Sequence, residues 1–320
     1  MVHKEDSLEN KTRIAVLSGG WSKERVISLK SGKAVFDALD KSKYDVMVYD
    51  PREDLQLLWN IRHDVDLALI LLHGRYGEDG RIQGLLDHFQ IPFMGSGVLA
   101  SAMAMNKRVT KDVYRSIGLP VPKDVVLRKP ESFSLENIKK QLGTPVVVKP
   151  VCEGSSLGIS IMETDSDILA GIEKAFEYDL EILLEEYLAG REITCAVLGR
   201  QNTDTLPLVE IVPQGDHRFF DFDAKYIPGE TTELCPAPIS SDLAAVACGL
   251  AQKAHRGLQC RDWSRTDMIL CDENFYILET NTIPGMTETS LVPLAARGRG
   301  WNLSQLLDYM IDTCLAEPDY

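Results

Sequence analysis

Residues 265–290, RTDMILCDENFYILETNTIPGMTETS, leave the folding chain fewer options than any other stretch. Two short apolar runs, 265–270 and 275–280, flank Cys271, Asp272, Glu273 and Asn274, the pattern of a β-hairpin closed by a polar turn. Side chains alternate faces along a strand, so Glu279 and Asn281 point one way, and Arg265 and Asp267 share a face of the partner strand. Two carboxylates and an amide can therefore converge. These are oxygen donors with no soft ligand among them, which suits Mg²⁺, a cation that takes one or two carboxylates and completes its octahedron with waters and phosphates. An exposed acidic hairpin would carry the same residues. What separates the two readings is the sequel, in which Pro284 and Gly285 end the strand sharply and bring backbone N–H groups close to the acids, where they can bind an oxyanion.

A chain of 320 residues is long for one core and suits two or three packed units. Its 34 Lys and Arg against 48 Asp and Glu give a formal charge of −14, which argues against a nucleic-acid-binding face and means that a polyanionic substrate must be held by local cations. No apolar run approaches the roughly 18 residues of a membrane helix, and the opening MVHKEDSLENK lacks a signal-peptide core, so a cytoplasmic protein without membrane attachment is expected. The seven cysteines form no CxxC pair; reduced, mostly packed thiols are expected, with neither a zinc site nor a disulfide framework.

The first unit opens as strand, turn and helix: 14–17 is a buried-type strand, Ser18, Gly19 and Gly20 a tight turn, and a helix spans about 22–39. Strands at 44–49 and 67–72, separated by a helical stretch, extend this into an open parallel α/β sheet. The glycines lack the spacing of a nicotinamide-type GxGxxG loop. Ligands bind past the carboxyl ends of such strands, where Glu24 and His73 fall. An acid in the first turn of a helix and a strand-end histidine satisfied by backbone would account for the same two residues. A helix running from about residue 99 to Gly118 precedes Pro120 and Pro122 and marks a boundary between units. A second, α+β unit follows, with strands at 124–127, 146–149 and 182–186 and a helix at 166–178.

Within that unit, PVVVKPVCEGSSLGISIM reads as strand, small-residue loop and strand. The loop's N–H groups and hydroxyls can wrap a triphosphate while Lys149 adds positive charge; a flexible Gly/Ser hairpin is the plainer alternative. The lysine precedes the glycines and strands lie on both sides, so this is no Walker A loop. Lys107 and Lys225 are further candidate cations. In EEYLAGREIT a strand runs out through Glu185, Glu186 and Leu188 and, after a turn at Gly190, another begins; exposed backbone there could read an adenine edge, with Glu192 accepting ribose hydroxyls. An ordinary strand, turn and strand with solvated acids fits equally. The polar segment FFDFDAKYIPGETTELCPAP, which carries Lys225 and Tyr226, has the character of an active-site lid. Helices at 244–258 and 303–315 complete the reading.

Taken together, GGWSKERVISLKSG, LHGRYGEDGRIQG, GSGVLASAMAMNK, VVVKPVCEGSSLGIS, EEYLAGREIT, DFDAKYIPG and the 265–290 hairpin resemble the ATP-grasp superfamily, and within it the D-alanine–D-alanine ligases, from residue 13 to about 316. The resemblance implies a three-domain ATP-grasp fold of mixed α/β and α+β class: an N-terminal open parallel α/β sheet (1–105), followed by two α+β domains (106–192 and 193–320) that sandwich ATP. It implies that Lys107, Lys149 and Lys225 hold phosphates, that Glu185, Glu186 and Leu188 border adenine, and that Glu192 takes the ribose. Asp267, Glu279 and Asn281 would carry two Mg²⁺ ions, or Mn²⁺ in their place. Glu24 would meet the ammonium of the first D-alanine and, with Ser155 and Tyr226, close the lid. His73, Ser290 and the amide of Leu291 would bind the amino-acid substrate, the last two through the second D-alanine's carboxylate. Arg265 and the Gly285 N–H would meet the tetrahedral oxyanion.

The implied product is D-alanyl-D-alanine for peptidoglycan precursors, formed through D-alanyl phosphate, by a homodimer. Tyr226 goes with D-alanine as acceptor; relatives that use D-lactate or D-serine, and a nucleotide-binding regulator without chemistry, are the alternatives. The chain departs from the pattern at Glu186, where many relatives carry lysine, and at Cys152, where a polar residue is common.

Overall fold

A computed structural model of the chain describes residues 11–130, 132–154, 158–214 and 231–317. Ser155, Lys225 and Tyr226 lie outside the described residues.

The chain builds three sheets in succession. In the first, β1 (Thr12–Leu17), β2 (Tyr44–Tyr49), β3 (Leu67–Ile70) and β4 (Phe93–Met94) are parallel in the order β2-β1-β3-β4. Ile14 to Leu17 are all fully buried, as a strand covered on both faces requires. The helices between them are α1 (Arg25–Ala38), α2 (Pro51–Asn60) and α3 (Arg81–Phe89). The helix expected from about residue 22 begins later, because Gly19 and Gly20, at φ 98° and 76°, swing the chain and leave Glu24 at the N-cap with no side-chain cap bond. Its carboxylate faces the other way, toward the backbone of Gly74. The strand expected to reach residue 72 stops at Ile70.

The single helix expected up to Gly118 is two, α4 (Val98–Met105) and α5 (Lys107–Ser116). Asn106 is extended between them and its side chain accepts the Val109 N–H at 3.0 Å, capping α5. That break puts Lys107 at the first residue of a helix.

The second sheet is antiparallel, ordered β5-β8-β6-β7 from β5 (Asp124–Arg128), β6 (Val146–Pro150), β7 (Ser160–Met162) and β8 (Glu181–Glu186), with α6 (Leu135–Leu142) and α7 (Asp165–Ala175) alongside. The third contains β9 (Arg191–Leu198), β10 (Asp204–Thr205), β11 (Val209–Pro213), β12 (Thr231–Leu234), β13 (Trp263–Cys271) and β14 (Asn274–Asn281), in the order β12-β11-β9-β13-β14 with β10 on β9. Strands β8 and β9 lie in different sheets, so the turn at Gly190 is a crossing between layers. A Cβ at Gly190 would run into the Leu270 carbonyl.

Helix α8 (Ser241–Gly257) packs on the third sheet. It starts three residues before the expected position because Ser240 accepts the Leu243 N–H. The chain ends with α9 (Leu291–Gly298), which carries Pro293 in its first turn where proline is tolerated, and α10 (Leu303–Ala316), opened by an Asn302–Gln305 capping box. Three apolar cores result. The first joins the parallel sheet to α9 and α10 through Leu291, Val292, Leu306 and Met310; the second joins Tyr114 of α5 to β9, β13 and α8. All seven cysteines are free.

Candidate active site

Two cavities, of about 280 Å³ and 270 Å³, open between the sheets. The first is acidic and takes Glu24, His73, Glu78, Arg265, Asn281 and Ser290 into its walls; the second is lined by Val147, Ile161, Glu185, Leu188, Glu192 and Asp267. Glu279 lines both. The hairpin that carries it is tighter than its sequence implies: only Asp272 and Glu273 form the turn, at φ 47° and 66°, and the strands pair up to Cys271 and Asn274. Arg265 faces Asn281 and Asp267 faces Glu279 across the ladder. Pairing then jumps from Asp267–Glu279 to Met268–Ile277, so Leu278 is an extra residue, and both it and Glu279 line the second cavity. The bulge aims the acid.

Arg265 is 8% exposed and grips both oxygens of Asp267, Nε to Oδ1 at 2.9 Å and Nη2 to Oδ2 at 2.8 Å. Thr194 Oγ1 lies 2.5 Å from the same Oδ1. Burial alone would lower the arginine's pKa, but Asp267, Glu279 and Glu192 more than offset it and hold the guanidinium charged. Asn281, with its amide turned to satisfy both neighbours, accepts from Arg265 Nη2 at 2.8 Å and donates to Glu78 Oε1 at 3.0 Å. The other Glu78 oxygen accepts the Gly74 N–H at 2.6 Å. Burial and the nearby Glu24 push Glu78 up to about 8. Glu24 packs against the backbone of Gly74, where a Cβ would strike its Oε2, and also approaches Gly154 of the small-residue loop. His73, buried with Nε2 3.3 Å from Ser31 Oγ, is pushed down to about 4 by burial and is neutral at physiological pH.

On the other side, Lys107 Nζ donates to the Glu153 carbonyl at 2.6 Å and lies 3.5 Å from Glu279 Oε2. Lys149 Nζ is 2.7 Å from Glu185 Oε2. Glu185 does not present a free carboxylate to the cavity: its second oxygen is 2.6 Å from the ammonium of Lys111, a residue 1% exposed. Burial pushes Lys111 down to about 8 against the pull of Glu185, while burial of Glu185 itself is outweighed by the two lysines, which keep it ionised. Glu186 is turned toward the start of β5, accepting the Lys123 N–H at 2.8 Å with Lys123 Nζ at 3.3 Å. At the far end of the acidic cavity Ser290 is the N-cap of α9 and spends its hydroxyl on Thr287, at 3.0 Å to N and 2.7 Å to Oγ1, leaving the first amides of the helix, Leu291 included, for an anion. A Cβ at Gly285 would come within 2.8 Å of Ser290 Oγ.

An acidic chamber and a partly apolar cleft thus share one carboxylate and are flanked by buried cations. Family models agree with that geometry: the one described as D-ala D-ala ligase C-terminus matches residues 113–312, and its N-terminal counterpart matches 52–96. The chain belongs to the D-alanine–D-alanine ligase family. It is 50% identical to the D-alanine–D-alanine ligase of Syntrophobacter fumaroxidans over 96% of its length and 99% of the relative's. Its fold matches a crystal structure of the Bacillus anthracis D-alanine–D-alanine ligase complexed with ATP, with a TM-score of 0.83 and 33% identity over 95% of this chain and 98% of that one. VanG D-Ala:D-Ser ligase from Enterococcus faecalis is similar too, at TM-score 0.81 and 30% identity over 95% and 99%.

Read as a D-alanine–D-alanine ligase family site, the structure brings together Glu24, His73, Lys107, Arg265, Glu279, Asn281, Gly285, Ser290 and Leu291 around one chamber, and Lys149, Glu185, Glu186, Leu188, Glu192 and Asp267 around the cleft. Three neighbours were not singled out from the sequence: Glu78, Lys111 and Thr194. The only sequence signal for Glu78 is its place in the Gly-bounded GEDG loop after β3; Lys111 and Thr194 give none, since their importance comes from which strand lies beside them. Asp267, Glu279 and Asn281 suit a hard divalent cation by donor type. Among the described residues no three Asp, Glu, His or Cys side chains form a ready metal cage, so such an ion would draw its remaining ligands from Asn281, water and phosphate.

Proposed function

We propose that this chain uses ATP to join two D-alanines into D-alanyl-D-alanine, through D-alanyl phosphate, for peptidoglycan precursors. The observation that carries the proposal is Glu279, set in the wall between the cleft and the acidic chamber with Arg265 close by, so that a γ-phosphate and an amino-acid carboxylate can meet at one point.

In the first step a carboxylate oxygen of the first D-alanine bonds to the γ-phosphorus and the bond to ADP breaks. Lys107, Lys149 and Lys225 neutralise the phosphates, Leu188 and the backbone beside Glu185 and Glu186 border adenine, and Glu192 accepts from the ribose. Held by Asp267, Glu279 and Asn281, two Mg²⁺ ions, or Mn²⁺, would supply Lewis-acid neutralisation of phosphate charge. Glu24 meets the ammonium of the first D-alanine. In the second step the amine of the second D-alanine bonds to the acyl carbon, the acyl carbon–oxygen bond to phosphate breaks, and the proton shed by the amine leaves with the departing phosphate. Arg265 and the Gly285 N–H stabilise the tetrahedral oxyanion, a contribution of about 3 kcal/mol per donor. His73, kept neutral, shapes the chamber, and the α9 N-terminus with Ser290 and Leu291 receives the acceptor's carboxylate. Ser155 and Tyr226 join Glu24 in closing the site against water.

The proposal places domain boundaries at 1–105, 106–192 and 193–320 and takes the protein to be a cytoplasmic homodimer that binds neither nucleic acid nor membrane. No helix among the described residues is long and apolar enough to cross a membrane. The likeness to a D-Ala:D-Ser ligase makes the acceptor the point to test. Dipeptide formation and phosphate release from ATP, Mg²⁺ and D-alanine are expected, with weaker turnover of D-serine and D-lactate. Turnover of either alternative acceptor without D-alanyl-D-alanine formation would overturn the choice of D-alanine, and phosphate release with none of the three would overturn the ligase reading.

A further inference from the structure

Lys111 projects from the middle of α5 into a closed cluster of charge. Its ammonium lies 2.6 Å from Glu185 Oε1 and 3.2 Å from Asp124 Oδ1, and its side chain is 1% exposed. Glu185 Oε2 meets Lys149 at 2.7 Å, and Asp124 is paired with Arg115 as well. Lys149 and Glu185 line the cleft, whereas Lys111 does not. One carboxylate thus joins a lysine that can reach a nucleotide to a lysine that cannot.

Around Glu185 two ammonium groups, those of Lys111 and Lys149, meet one carboxylate, while Arg115 is shared between Asp124 and Asp112. Of the two ammonium groups on Glu185, that of Lys149 faces the cleft. Without Lys111, Glu185 is balanced by Lys149 alone, and drawing that ammonium toward a phosphate would leave a buried carboxylate uncompensated. Burying an ion pair gives little net stability compared with apolar packing, so fold stability is a weak reason for Lys111 to be there.

We propose that Lys111 is a positioning residue for nucleotide binding: by holding Glu185 from behind, it frees the Lys149 ammonium to be shared with the ATP phosphates. This rests on the reading of the cleft as an ATP site.

The test compares the full chain with Lys111→Met, Lys111→Arg, Glu185→Gln and the Lys111→Met/Glu185→Gln pair. Calorimetric affinity for MgADP and the KM values for ATP and D-alanine are the readouts. Lys111→Met is expected to weaken MgADP binding and raise the ATP KM by about ten-fold or more, with the D-alanine KM changed less than about two-fold, and Lys111→Arg to recover most of the loss. In the Glu185→Gln background the carboxylate that needs balancing is gone, so adding Lys111→Met should change MgADP affinity by less than about three-fold. Unchanged affinity in Lys111→Met, equal loss for both substrates, or a full ten-fold loss persisting in the Glu185→Gln background overturns the proposal. Should Lys111→Met fail to fold, Lys111→Gln takes its place in both backgrounds, with the same ten-fold loss expected in the wild type and less than about three-fold beside Glu185→Gln. A wild type that binds MgADP but forms no dipeptide, with the Lys111 effects intact, would overturn the ligase reading and leave this one standing.

Discussion

Arg265 works on two charges at once. It forks onto Asp267 and, in the mechanism proposed above, also meets the tetrahedral oxyanion. Arg265→Ala is expected to lower kcat by about 10² or more while the ATP KM moves by less than about three-fold, because the donor acts on the developing charge. Steady-state kinetics check this, and equal losses in both constants would contradict it. Glu78 makes a second prediction, on pH. Its value is raised from 4.5 to about 8, first by burial and then by Glu24. The fold therefore favours the protonated carboxyl, and that stabilisation is complete below pH 4.5 and lost as pH climbs through 8. Glu78→Gln does not titrate, so its melting temperature relative to the nucleotide-free wild type should climb by about 3 °C or more between these limits. A difference that stays flat with pH would refute it. The shared face of Arg265 and Asp267 was legible because alternation on a strand fixes direction from sequence, whereas the aim of Glu279 into the cleft depends on the bulge at Leu278. Glu78 was not legible, since an acid in a Gly-bounded loop looks solvated until the fold covers it.

The β13–β14 hairpin was the most legible element, its apolar runs and polar turn being visible as such. The bulge at Leu278 was not visible, because one extra residue leaves the same apolar string. Neither was the break between α4 and α5, where Asn106 reads equally well as a mid-helix residue or as a cap. The turn offers a test of its own. Asp272 and Glu273 both occupy the left-handed region, which costs a side chain with a Cβ about 1–2 kcal/mol. Glu273→Gly is expected to stabilise the protein by about 1 kcal/mol, measured by denaturant unfolding, with the rate of dipeptide formation unchanged. A loss of stability would mean that the Glu273 side chain contributes more than its backbone strain costs.

Across the whole molecule, the three sheets could be anticipated as three units, but the core that each helix joins could not. Distant pairing decides that. Asp262, 3% exposed, accepts the Gly95 N–H at 2.7 Å and pairs with Arg200, while Arg261 Nε donates to the Gly95 carbonyl at 2.7 Å. This clasp ties the end of the parallel sheet to the third sheet. Asp262→Ala would remove the acceptor that the buried Gly95 N–H and the Arg200 guanidinium share and is expected to cost about 3 kcal/mol and to split or broaden the calorimetric transition. A single sharp transition at the wild-type temperature would show that the layers are held together elsewhere.

The first core is completed by α9 and α10: Leu291, Leu306 and Met310 belong to the same buried cluster as Ile14, Leu17 and Leu69. A growing polypeptide must therefore leave the parallel-sheet layer with an apolar flank bare until residues 291–310 have been made. Trimming the chain after residue 290 should yield a protein that binds hydrophobic dyes and is cut early by proteases within its first hundred residues, a vulnerability set by the order in which the ribosome delivers the parts.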